Sequence, residues 1–228
     1  MEKTSYHKVA TMQPYIFPYL GYFQLINSVD TFVFLKDVKY TKKRWINRNQ
    51  LLVNQHPFIF TIPLHKASQN RNINEHFIKT GWAKELQKTI ILNYKKSQYF
   101  DENFNLISDL LYDCEGNNLS LAAEKIIRVI SEVLNINCEF RYSTDFFVDN
   151  KTRHDRIIEI CRCLKATTYV NPIGGKEIGL YKQEDFNPIN LRFIQRDDDW
   201  GNLSIIHYLL VKGRKETKKI LKKYNLIK

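Results

Sequence analysis

Apolar and polar positions change their period several times along the chain, and the changes mark its elements. Residues 8–12, KVATM, form a short apolar run that meets Gln13-Pro14, where proline fixes φ and removes a donor; this predicts a strand entering a loop. Pro14 and Pro18 bracket a turn, and residues 20–26 then carry apolar side chains at the spacing of a short amphipathic helix. Residues 31–35, TFVFL, are β-branched and aromatic and predict a buried strand, so the chain opens as a parallel βαβ unit. Residues 51–63 alternate only partly, with Pro57 and Pro63 marking the limits of one or two further strands, and residues 67–74 are polar and loop-like. Helices are predicted over 73–92, 103–111 and 121–134, the last with Leu121, Ala122, Ile126, Val129, Ile130, Val133 and Leu134 in register. Another helix starts at Thr152, which with Asp155 resembles a capping box and precedes the stripe Ile157, Ile158, Cys161 and Leu164. Residues 167–170 and 191–195 predict strands, and 204–211 a helix stopped by Gly213. The pattern predicts an α/β class, a Rossmann-like layered sheet with a mostly helical middle segment at about residues 73–135, in one domain spanning 1–228. It leaves the strand order open.

Charge narrows the partner. Lys and Arg number 35 against 24 Asp and Glu, a formal net charge of +11, which favours an anionic partner: nucleic acid, lipid headgroup or phosphorylated small molecule. Residues 214–228 carry Arg214, Lys215, Lys218, Lys219, Lys222, Lys223 and Lys228 against Glu216, but Tyr224 is their lone aromatic residue and no nucleic-acid-binding signature is present. Nucleic acid is therefore not expected, and membrane contact is expected to be peripheral at most. Cys114, Cys138, Cys161 and Cys163 form no CxxC pair and lack histidines at finger spacing, so neither a metal site nor a disulfide framework is expected. The opening residues show no apolar leader, and no apolar run approaches the roughly 18 residues of a membrane span. The expectation is a reduced, cytoplasmic protein.

Two segments concentrate chemistry. The first holds Gln13, Asp30, Asp37, Lys42, Lys43, Arg44, Trp45, Asn47, Arg48 and Asn49. Gln13 follows one predicted strand and Asp37 another, and ligands of open α/β sheets bind at the carboxyl ends of strands. The two would share one crevice; the competing reading is a turn-forming aspartate and a satisfied loop amide. Asn47 and Asn49 would lie on one face of a strand with Arg48 on the other, as in a pocket wall, or in a solvated basic turn with Trp45 plugging the core. The second segment, TTYVNPIGGKEIGLY at 167–181, brings Asn171 and Gly174 to the end of a strand, where glycine lets backbone amides approach a ligand, or simply turns the chain. It is neither GxGxxG nor a GK[ST] phosphate loop. His154 and His207 are candidate bases or ordinary helical histidines, and no GxSxG elbow occurs.

QPYIFPYLGYFQLINSVDTFVFLKDVKYTKKRWINRN resembles the opening signature of the WbqC-like family, and the likeness extends to RIIEICRCLKATTYVNPIGGKEIGLY and to LSIIHYLLVKG. The resemblance implies enzymes of glycan precursor assembly, typically encoded among genes for O-antigen and other bacterial surface polysaccharides. His207 departs from the pattern, standing where an acidic residue is usual, and the approach through RDDDWGN is shortened. On this basis the expected activity is acyl or aminoacyl transfer to the amine of a nucleotide-linked amino sugar, from an acyl-CoA or carrier-protein thioester. Asp37, then Asp30, would be the base, with Gln13, Asn47, Asn49 and Asn171 as amide donors. Lys43, Arg48 and Arg44 would hold a diphosphate, Tyr15, Tyr22 and Tyr181 would form stacking walls, and Trp45 and Gly174 complete the binding set. A carrier protein and a homodimer are the further partners expected. The alternatives are a glycosyltransferase using a sugar nucleotide, with Asp30 and Asp37 as possible metal ligands, and a non-catalytic scaffold of the assembly pathway.

Overall fold

The computed structural model describes residues 6–148, 152–197 and 201–228. The predicted opening unit is present: β1 (Lys8–Met12) lies parallel to β2 (Thr31–Phe34), Val9 opposite Thr31 and Met12 opposite Phe34, with α1 (Leu20–Asn27) between them. The chain then leaves the sheet as an antiparallel hairpin, β3 (Arg48–Val53) and β4 (His56–Thr61). Its turn residues Asn54 and Gln55 have φ of 50° and 66°, the left-handed values that match a two-residue turn to the strand twist.

The helical middle is α2 (Ala83–Tyr94), α3 (Phe100–Asp113) and α4 (Leu119–Val133). The helix expected over 73–92 begins only at Ala83; before it a single 3-10 turn, Ile73–Glu75, is closed by an Asn72–Glu75 capping box. The chain then pairs Phe77 with Asn118 and Ile78 with Leu64 through isolated bridges, and Gly81 sits at φ 84°. Long-range backbone pairing there overrides a local helical period. β5 (Glu139–Tyr142) joins the far side of β2, and α5 (Arg153–Cys163) begins as expected, Thr152 Oγ1 accepting the Asp155 N–H at 3.2 Å. After β6 (Thr168–Pro172) come the short α6 (Ile173–Glu177) and α7 (Gln183–Phe186), then β7 (Asn190–Arg196). α8 (Ile205–Val211) and α9 (Gly213–Ile220) lead to β8 (Tyr224–Ile227), which pairs antiparallel with β7. Part of the basic tail thus closes a sheet edge.

The sheet order is β5-β2-β1-β6-β7-β8, parallel except at β8. From the central β1 the chain winds outward one way through β2 and β5 and the other way through β6 and β7, the doubly wound Rossmann-like arrangement. Alternate residues face opposite sides. Ala10, Phe32, Phe34, Val170 and Ile194 join one core with α1, α4 and α8, whereas Val9, Val33, Tyr169, Leu191 and Phe193 join a second with α5. Burial on both faces explains why β2 reads as an unbroken apolar run. Among the described residues no helix is long and apolar enough to cross a membrane.

Gly213 sets the corner between α8 and α9. Its φ is 71°, and an added Cβ would lie 2.6 Å from the Tyr99 ring. Gly213→Ala is expected to cost about 2 kcal/mol or more from backbone strain and displaced packing, read as a lower urea midpoint with an unchanged slope.

Candidate functional site

The two windings part between β1 and β6, so the crevice of this fold lies outside the carboxyl ends of those strands. Gln13 leaves β1 there and Asn171 closes β6 there. Lys36 and Asp37 follow β2 at the same edge, and Tyr142 ends β5 beside them.

The β1–α1 loop is held from many sides. Phe17 has a φ of 43°, strained for an aromatic side chain. Its carbonyl accepts two buried hydrogen bonds, from Asn49 Nδ2 and Ser204 Oγ, each 2.8 Å. Ile205 donates its N–H to the Pro18 carbonyl at 2.9 Å, Ile16 donates to Ile46 at 2.9 Å, and the Tyr22 hydroxyl donates to the Gln13 carbonyl at 2.9 Å. Strand β3, helix α8 and helix α1 therefore fix one loop in one shape. Three residues expected to meet a ligand serve this scaffold instead. Asn49 is buried with its amide on Phe17. Asn47 is buried, donating to the Ile62 carbonyl at 2.8 Å and accepting from the Tyr40 hydroxyl at 2.9 Å. Tyr22 is a core residue, its ring 5.5 Å from Phe32. A polar side chain looks the same in sequence whether its partner is a ligand or a distant carbonyl.

Tyr15 belongs to the β1–α1 loop at this crevice, while Tyr181 packs against Tyr169 and Phe186 and lines a separate cavity with residues of α7 and β7. Burial pushes the Tyr15 hydroxyl up to about 12, aided by Tyr19, while the guanidinium groups of Arg153 and Arg44 pull the other way. Burial also raises Tyr181, and Arg153 again opposes it. Arg153, in the first turn of α5, thus lies near both tyrosines, and Arg44 near one. Asn171 is buried, donating from Nδ2 to the Tyr169 hydroxyl at 3.0 Å, and that hydroxyl is 3.0 Å from Thr11 Oγ1. The glycine that matters beside it is Gly175, not Gly174: a Cβ on Gly175 would lie 2.1 Å from Asn171 Oδ1, while one on Gly174 would meet nothing within 4 Å.

The two aspartates part company. Asp30 accepts the Lys8 N–H at 2.7 Å at the amino end of β1 and β2, so a whole strand, roughly 15 Å by strand rise, separates it from the crevice. Asp30 is no base for this site, and Asp30 and Asp37 cannot share a metal. Asp37 is at the correct edge but engaged: Oδ2 accepts from Arg156 Nη2 and Oδ1 from Ser143 Oγ, both at 2.5 Å. Burial acts to raise its carboxyl, but the hydrogen bonds from Arg156 and Ser143 outweigh it and hold the group below its usual range. An anchored, ionised carboxylate orients Arg156 better than it takes a proton. The basic run also divides, since Lys43 and Arg48 line a separate cavity beside the hairpin.

Sequence reasoning missed Glu124. It lies in α4 among Ala123, Ile126 and Ile127, 3% exposed, with Oε1 lacking any partner. Burial raises its pKa, opposed by Lys36, Arg128 and hydrogen bonds from Tyr142 and Ser120. Lys36 Nζ stands 3.9 Å from the centre of the Tyr142 ring, and the charge of Glu124 is felt at the Tyr22 hydroxyl. A desolvated acid near a lysine, under the carboxyl ends of β2 and β5, is a candidate acid–base group. The available signal was a glutamate inside the apolar stripe of the clearest helix.

The departures near the C-terminus are partly visible. Residues 198–200 lie outside the described residues. His207 Nδ1 is 3.2 Å from the Tyr94 hydroxyl, which accepts the Leu52 N–H at 2.8 Å. Burial, with Lys212 adding, lowers its pKa from 6.5 to about 4. A base so depressed adds no penalty above pH 6.5, and stability is lost as pH falls from there toward 4, where the unfolded chain binds the extra proton. His207→Gln is expected to flatten that part of the stability profile, measured by urea unfolding at stepped pH.

A family model described as the WbqC-like protein family matches residues 13–219. The chain is also similar to the uncharacterized protein Rv1507c of Mycobacterium tuberculosis, 30% identical over 195 residues, which are 84% of this chain and 83% of that protein. No solved structure matches the chain significantly.

Proposed function

The chain belongs to the WbqC-like protein family, and from that premise we propose that it is a transferase of surface-polysaccharide precursor assembly, acylating or aminoacylating the amine of a nucleotide-linked amino sugar. The observation that carries this reading is a clustering of groups: Tyr15 near Arg44 and Arg153, Tyr181 near the same Arg153, and the buried Glu124 near Lys36. Aromatic walls suit a sugar or base, and guanidinium groups suit the diphosphate.

In this reading the sugar amine attacks the carbonyl carbon of a thioester donor. The C–N bond forms, the C–S bond breaks, and the thiolate departs. Glu124, its carboxyl raised by burial, takes the proton that the amine loses. Gln13 stands at the end of β1 to donate to the developing oxyanion, and Asp37 positions Arg156.

The test is incubation of the purified protein with nucleotide-linked amino sugars and acyl or aminoacyl thioesters, following mass. A mass gain on the sugar nucleotide supports the reading. Release of nucleotide onto a glycan acceptor would instead identify a glycosyltransferase, and binding without turnover across the panel a scaffold.

A further inference from the structure

The turn at residues 41–46 sends its cations to two places. Arg44 acts at Tyr15, whereas Lys42 and Lys43 line a cavity of about 390 Å3 with Arg48, Tyr40, Pro63 and Leu64. No carboxylate lines this cavity, and among the described residues none of its three cations forms an ion pair. Arg48 is half-buried, carried by the first position of β3 opposite Thr61, with its guanidinium 5.5 Å from the centre of the Trp45 ring. Its Nε is buried and has no hydrogen-bond partner. Leaving a charged N–H dry and unpaired is costly unless something else satisfies it. Lys43, which lines the same cavity, holds a φ of 62°, a left-handed value uncommon outside glycine. Arg156, also half-buried, has Asp37 as its carboxylate partner.

We propose that this hairpin cavity is a phosphate-recognition site in its own right, binding a phosphate or diphosphate group through Arg48, Lys42 and Lys43, with Pro63 and Leu64 against the uncharged part of the same molecule. A planar guanidinium with an unused N–H matches phosphate oxygens, and the two lysines add charge without demanding one geometry. Two sources carry this chemistry: the phosphates of a phosphopantetheine donor, with the acceptor's diphosphate left to Arg44 and Arg153, or the acceptor's nucleotide diphosphate itself, held here in place of the crevice. The site does not depend on the transfer reaction, since it occupies a cavity apart from Tyr15, Tyr181 and Glu124.

The experiment is isothermal titration of the whole protein with inorganic pyrophosphate, in wild type and variants. Arg48→Gln and the double variant Lys42→Ala/Lys43→Ala are each expected to bind at least tenfold more weakly, with Arg48→Lys intermediate. Arg44→Gln/Arg153→Gln, in the crevice, is expected to keep a pyrophosphate site of wild-type affinity, the one at Arg48, even where the crevice itself loses affinity for a diphosphate. Lys42 and Lys43 are exposed, so their variant keeps the test alive if Arg48→Gln fails to fold. Displacement of pyrophosphate by coenzyme A assigns the site to the donor, and displacement by a UDP-linked amino sugar assigns it to the acceptor. No binding at millimolar pyrophosphate, binding insensitive to Arg48 and the lysines, loss confined to the crevice variant, or pyrophosphate that neither compound displaces would overturn the proposal. Loss of acyl transfer with pyrophosphate binding intact would count against the transfer reading alone.

Discussion

Glu124→Gln is expected to slow amine acylation by about 100-fold or more while stabilising the fold at neutral pH, a pairing that separates a working acid–base group from a structural one. The rate falls because an amide cannot take the amine proton. Stability moves the other way because the folded carboxyl is raised above 4.5, chiefly by burial. A raised acid contributes its full share only below that unfolded value, and stability is lost as pH rises through the folded one. The advantage of Glu124→Gln over wild type should therefore vanish below pH 4.5 and grow above it. Initial rates by product mass and urea unfolding at several pH values measure both halves. A variant with near wild-type turnover would remove Glu124 from the mechanism.

Asn49→Ala is expected to lower the melting temperature by roughly 10 °C, from the loss of about 3 kcal/mol in a domain of this size. The substitution leaves the buried Phe17 carbonyl with one donor in place of two and opens space beneath a strained loop. Ser204→Ala should act in the same direction, because it removes the second donor and also the cap on the Ile206 N–H. The two share one acceptor, so the double variant should depart from additivity. Differential scanning calorimetry of the three variants decides the matter; a shift under about 2 °C for Asn49→Ala would show that the loop holds its shape without this clamp.

These two cases show where sequence reading succeeded and where it stopped. The opening βαβ unit was legible because each part declared itself locally: an apolar strand ended by proline, a helix with one apolar face, and a buried strand that is apolar throughout. Thr152 was legible as a cap for the same reason. β5 and β8 were not, since EFRY and YNLI are short edge segments made strands by the neighbours they pair with. Tyr15, Tyr181 and Arg44 could be singled out by type. Glu124 was hidden by its distance in sequence from the opening segment.

The sequence alone determined the α/β class, the period of the main elements, the excess of cations and the family. The tertiary structure decided which polar side chains face one another. It set Asp30 and Asp37 at opposite ends of a strand, gave Asn47 and Asn49 to backbone carbonyls, turned Arg44 toward Tyr15 while Lys42, Lys43 and Arg48 line one cavity, and brought Glu124 near Lys36. The physical reason is range. Hydrophobic period, capping and turn chemistry act over a few residues and are written in order. Hydrogen bonds, ion pairs and desolvation depend on which distant segments fold together, and a chain read in order does not display that.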